Sequence, residues 1–115
     1  MGVGSLGNDE PDQVKAVLLS DEARADALEA FVFYEGRRPG LGLRFRDHLD
    51  LALTRIREDP TRYPIVYREV RRRLVDRFPY GVCYREYPDV VLVIAVMHGR
   101  RDPGRWRRRA SAHDV

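Results

Sequence analysis

Residues 66–98 read VYREVRRRLVDRFPYGVCYREYPDVVLVIAVMH, and the period of this stretch decides the fold. Side chains change character every second residue, which is the spacing of a pleated strand, and the pattern falls into the runs Val66–Val70, Arg71–Phe78, Tyr80–Tyr87 and Val90–His98. Phe78-Pro79-Tyr80-Gly81 and Tyr87-Pro88-Asp89 have the composition of turns, so three or four consecutive strands are expected to pair as antiparallel neighbours. Val90–Met97 is apolar at nearly every position, which predicts a central strand buried on both sides.

Working back from that stretch, the period lengthens to three and four. Leu41, Phe45, Leu49, Ala52, Leu53 and Ile56 form one helical stripe that must stop before Pro60. Ala27, Phe31 and Tyr34, flanked by Leu28 and Val32, form another, starting at Asp21 behind Ser20 as N-cap and ending near Arg37. Pro39-Gly40 leaves room only for a tight helical hairpin. Before it, Gln13–Leu19 turns apolar at its end and reads as a first strand. The expected architecture is therefore an α+β domain: an N-terminal strand, a helical hairpin, then three to four antiparallel strands in one sheet covered by the helices on one face.

The other face is expected to stay open. If Leu74 and Phe78 point to the helices, then Arg71, Arg73, Val75 and Arg77 point away, and Gly81, Cys83, Arg85 and Tyr87 are assigned to the same open side. After the last strand, a short turn with Trp106 is expected. The chain divides into a flexible leader 1–12, one domain 13–109 and a flexible tail 110–115. Gly2, Gly4 and Gly7 match a dinucleotide fingerprint in spacing alone, since no strand precedes them.

A chain of 115 residues holds one core, and 34% charged residues exclude a body embedded in a membrane. Cys83 is the only cysteine, so no intrachain disulfide can form; with no signal-like start, the cytoplasm is the expected compartment. Cys83 and three scattered histidines have no metal-ligand spacing, and neither metal nor cofactor is expected. Of the 21 basic residues only Lys15 is a lysine. Residues 1–67 carry nine basic and twelve acidic groups, whereas residues 68–115 carry twelve and six, so the C-terminal half is strongly basic. Guanidinium groups suit bidentate contact with phosphate or carboxylate, which points to an acidic partner or nucleic acid. His98, at a strand end before Gly99, is the histidine best placed for proton transfer.

Three separated motifs appear in a familiar order: Tyr34-Glu35 with Arg37-Arg38-Pro39-Gly40-Leu41-Gly42 and Arg44-Phe45, then Arg77-Phe78-Pro79-Tyr80, then His98-Gly99-Arg100-Arg101-Asp102-Pro103 with Trp106. Together, over about residues 14–109, they resemble the RelE/ParE toxin superfamily of bacterial type II toxin–antitoxin (plasmid stabilisation) modules. The resemblance implies a cognate antitoxin whose extended, partly acidic segment folds onto the toxin as a hetero-oligomer. RelE-like members cut messenger RNA in the ribosome; ParE-like members poison DNA gyrase. In the RelE-like pattern an arginine follows the aromatic that opens the fourth strand, but after Tyr80 this chain has Gly81, and the lysine-rich catalytic segment has no counterpart. Arg100 with Trp106 matches the late arginine and aromatic pair of the cleaving branch, except that tyrosine is usual at the second place.

The departures favour the ParE-like branch, which implies a gyrase inhibitor, not an enzyme. Arg71, Arg73, Arg77, Arg85, Arg100, Arg101 and Trp106 are then the surface for antitoxin or target. The alternatives are a ribosome-dependent messenger RNA endoribonuclease, with Arg85 and Arg100 stabilising phosphate and His98 or Tyr87 handling a proton, and a non-toxic relic that only binds antitoxin.

Overall fold

The computed structural model describes residues 15–99 and 103–112, with 103 and 105 described by their backbone only. The elements are β1 (Ala16–Leu19), α1 (Asp21–Arg37), α2 (Leu41–Glu58), β2 (Ile65–Tyr67), β3 (Val70–Leu74), β4 (Tyr80–Glu86), β5 (Val90–His98) and α3 (Pro103–Ala112). The strands form one sheet in the order β1-β5-β4-β3-β2. β1 runs parallel to β5, and the remaining neighbours are antiparallel. This is the expected α+β arrangement. β5 is interior and buried along most of its length as its composition required, although the middle place of the five belongs to β4.

Local chemistry sets the hairpin. Ser20 caps α1 by accepting the Ala23 amide at 3.1 Å. The chain then reverses through Gly40, whose φ of +89° is open to glycine at little cost. Glu35 holds the reversal, its two carboxylate oxygens accepting the amides of Gly40 and Gly42 at 2.9 Å each. A Cβ on Gly42 would lie 2.7 Å from the Phe31 carbonyl oxygen, so the helices can cross this closely only with glycine there.

The hairpin covers one face with Phe45, Leu49, Ala52 and Ile56 of α2 against Val82, Tyr84, Val91, Val93 and Val96 of the sheet. Tyr34, Phe45, Phe78 and Tyr80 interlock there, with ring centroids 4.9–6.1 Å apart. α1 contributes Ala23, Asp26 and Ala30 as its buried positions, while Leu28 and Val32 stay 63% and 60% exposed. The stripe expected around Phe31 is thus split between the core and an outward apolar edge.

The second face is not open. Helix α3 replaces the expected short turn at Trp106 and includes Ala110–Ala112, which the sequence pattern had assigned to a tail. It rests Trp106 and Ala110 on Val70, Cys83, Ile94, Ala95 and Met97. The leader 1–12 lies outside the described residues. Two of the expected strand boundaries also move. Arg68-Glu69 is a turn with Arg68 at φ 51°, and β3 ends at Leu74, well before Phe78.

Candidate functional site

Strand register decides which arginines meet. Arg71 lies opposite Tyr84 and Arg73 opposite Val82, so both sit on the hairpin face, whereas Arg72 lies opposite Cys83 and Val70 opposite Arg85. Among the described residues the expected arginine surface is therefore divided: Arg71 and Arg73 are on the other side of the sheet from Arg85. Val75 likewise is buried in the hairpin core, Leu74 is exposed, and only Phe78 points as expected. Parity was carried through a turn where it does not hold, because β3 stops at Leu74 and residues 75–79 reverse the chain with Arg77 at φ 69°. The assignment of Gly81, Cys83 and Arg85 to the second face was correct.

Each of these residues has a local task. Arg71 donates from Nη1 to the carbonyls of Thr61 and Tyr63 at 3.0 and 2.7 Å, tying down the segment between α2 and β2. Arg73 lies over the Tyr63 ring and donates to the Leu74 carbonyl. Arg85 is 7% exposed beneath α3, where it reaches the Ala110 carbonyl at 3.5 Å and Glu69 at 3.6 Å. Cationic Arg85 thus meets the negative C-terminal end of the helix that covers it. Trp106 packs edge-on to Tyr67 and is buried. Arg77 is exposed, and Arg100 and Arg101 lie outside the described residues.

What pins α3 is an ion pair that no local pattern announces. β1 covers only Val90–Val93 of β5, so the edge of β5 beyond that point is free. Asp26 of α1 fills the gap by accepting the Val96 amide at 3.0 Å, and Arg109 of α3 grips the same carboxylate through two bonds of 2.6 and 3.2 Å. Arg109 also donates to the Ile94 carbonyl at the bulge in β5. One carboxylate thereby joins the helices of both faces. The signal in the sequence was an acid, Asp26, at helical spacing between Ala23 and Ala30.

Of the four side chains expected to serve RNA chemistry, Arg100 lies outside the described residues and His98 stands far from Arg85 and Tyr87, which neighbour each other at the end of β4. His98 closes β5 beside Tyr80, at the end of the sheet where Gly99 donates to the Pro79 carbonyl. The amide of Tyr87 donates to Val90, eight residues back along β5, which at ~3.3 Å per residue places it roughly 25 Å from His98. Arg85 pairs with Leu92, roughly 20 Å along the strand from His98. Gly81, at the place of the RelE-like arginine, lies under Arg72; a Cβ there would be 2.8 Å from Arg72 Cδ. Beside it, burial pushes the Cys83 thiol up to about 12, the Arg72 charge opposing, so this thiol stays protonated and inert at neutral pH.

The exposed apolar surface lies elsewhere, on the outer seam of the helical hairpin. Ala27, Leu28, Phe31, Phe45, Arg46 and Leu49 line a groove of about 250 Å³. Leu28 and Val32 stand along its α1 side, so apolar area remains in water that a partner can cover.

Comparison with known families matches residues 17–103 to the ParE toxin of the type II toxin–antitoxin system parDE. The chain belongs to the ParE toxin family. Among solved structures, this ParE-family chain is similar to one described as the chromosomal ParDE TA system from P. aeruginosa, with a TM-score of 0.67 and 13% sequence identity. The match covers 75% of this chain and 97% of the other, and at that identity it speaks for a shared fold. No curated protein sequence matches the chain. Among the described residues, no helix of this family member is long and apolar enough to cross a membrane.

Proposed function

We propose that this ParE-family chain is a cytoplasmic toxin that inhibits DNA gyrase by protein contact and is neutralised by a cognate antitoxin. The observation that carries the choice of binding over RNA cleavage is the separation of His98 from Arg85 and Tyr87. A phosphodiester needs its base, acid and charge stabiliser within hydrogen-bond reach of one another's targets, and groups 20–25 Å apart along a strand do not meet that condition. Gly81 under the Arg72 stem adds to the case, since it removes the arginine that the cleaving branch places there.

The antitoxin lays an amphipathic segment along the hairpin groove, covering Leu28, Val32 and Phe31, with acidic residues toward Arg46 at the rim. The test is gyrase supercoiling and DNA cleavage with purified protein, run beside a translation assay that maps cuts in messenger RNA. Gyrase inhibition with intact message is the expected result. Cut message with unaffected gyrase would establish the ribonuclease reading, and no effect in either assay, together with tight antitoxin binding, would establish the non-toxic relic.

A further inference from the structure

At the tip of the helical hairpin, away from the apolar seam, two clefts adjoin and share Leu41. One, of about 360 Å³, is lined by Phe33, Tyr34, Arg37 and Arg38; the other, of about 390 Å³, by Arg44, His48, Arg77 and Phe78. Arg38, Arg44 and Arg77 are exposed and make no ion pair or side-chain hydrogen bond among the described residues, and Arg37 only lies over the Phe33 ring at 5.4 Å. None of the acids nearby forms an ion pair with them among the described residues. Both Glu35 oxygens are taken by the Gly40 and Gly42 amides, Asp76 faces Arg73, and Asp47 pairs with none of the four.

Each cleft thus holds two guanidinium groups, and Phe33, 46% exposed, offers an aromatic ring beside them, whereas Phe78 is packed against Tyr34 and Phe45. Arg77 is held there in the left-handed backbone region, a conformation that an arginine adopts only at some cost. We infer that the hairpin tip is a binding site for single-stranded nucleic acid, phosphates meeting the guanidinium groups and a base stacking on the exposed Phe33 ring. An exposed aromatic ring among guanidinium groups favours this occupant, since a single strand presents phosphates and unpaired bases together. A duplex hides its bases, and a run of acidic side chains has no flat group to lay on the ring. The site is separate from the groove and does not rest on the gyrase reading.

The experiment is fluorescence anisotropy of a labelled twenty-nucleotide thymidine strand against the full chain across a salt series. Binding is expected to weaken with salt, each phosphate contact contributing about 0.7 to the logarithmic slope. Arg44→Glu with Arg77→Glu should lower affinity at least tenfold and flatten the slope by about 1.4. Arg77→Gly, which suits the backbone and keeps the fold, should flatten it by about 0.7. Phe33→Ala should weaken binding at unchanged slope, and Arg57→Glu, near the far end of α2, should leave both affinity and slope close to the unsubstituted values. The inference is overturned if the unsubstituted chain shows no salt-dependent binding, if the Arg44 and Arg77 variants bind as it does, or if a duplex or a polyglutamate of equal charge competes equally well.

Discussion

On one face of the sheet, Tyr34, Phe45, Phe78 and Tyr80 interlock under two long helices; on the other, the ten-residue α3 rests on Trp106, Ala110 and the Asp26–Arg109 pair. The first face is held by apolar area, which no single contact can release. The second depends on one aromatic anchor and one carboxylate shared among an amide, a guanidinium and, through it, the β5 bulge. Isolated helices of ten residues are marginal in water, so α3 exists because it is docked. The hairpin face is therefore the part that folds the molecule, and the α3 face is the part that opens first.

The largest expected effect tests the first half of that contrast. Phe45→Ala empties the centre of the aromatic cluster and should cost about 3–5 kcal/mol, read as a cooperative loss of both helices and sheet in urea. Arg109→Ala should cost less, about 1–2 kcal/mol. A buried carboxylate stripped of its partner is normally expensive, but Asp26 regains water once α3 lifts, which limits the penalty. The decisive readout is local: amide exchange should accelerate across residues 103–112 with the hairpin still protected, and a thiol reagent should reach Cys83. Equal loss of protection in α1 and α3 would show that the two faces form one unit.

Alkaline pH probes the interface between the faces. Cys83 rises from an ordinary 9.0 to about 12, chiefly through burial, and the Tyr84 hydroxyl, bonded to the Pro60 carbonyl, is also pushed upward by burial. Both groups keep their protons when folded, so their contribution is complete below pH 9 and is lost as pH rises toward 12. Urea midpoints should fall between pH 9 and 11, and Cys83→Ala should flatten part of that fall. The smallest effect is expected from Arg55→Ala, which removes an exposed pair with Glu58 and should change stability by less than about 0.5 kcal/mol in the same titration.

Much of this was legible before any coordinates. The change from period two to period four located the strands and the hairpin, Ser20 announced the start of α1, and Gly40 marked the reversal. Of the candidate site, the pairing of Arg85 with Cys83 and Gly81 on one face could be read, because alternation within a single strand is dictated by the pleat. The face of Arg71 and Arg73 could not, since it depends on how residues 75–79 reset the parity between two strands. The covering of the second face was also hidden: Arg109 and Asp26 lie 83 positions apart, and neither has a local pattern that names the other.

The sequence by itself determined the order of elements up to the last strand, the hairpin with its glycine reversal, the antiparallel run and the basic second half, all of which follow from periods and turn chemistry within a few residues. Tertiary structure alone decided which arginines share a face, that α3 closes the sheet over Arg85, and that Arg37, Arg38, Arg44 and Arg77 meet at the hairpin tip. These outcomes depend on register and on contacts between distant segments, where a shift of one residue moves a side chain to the opposite face.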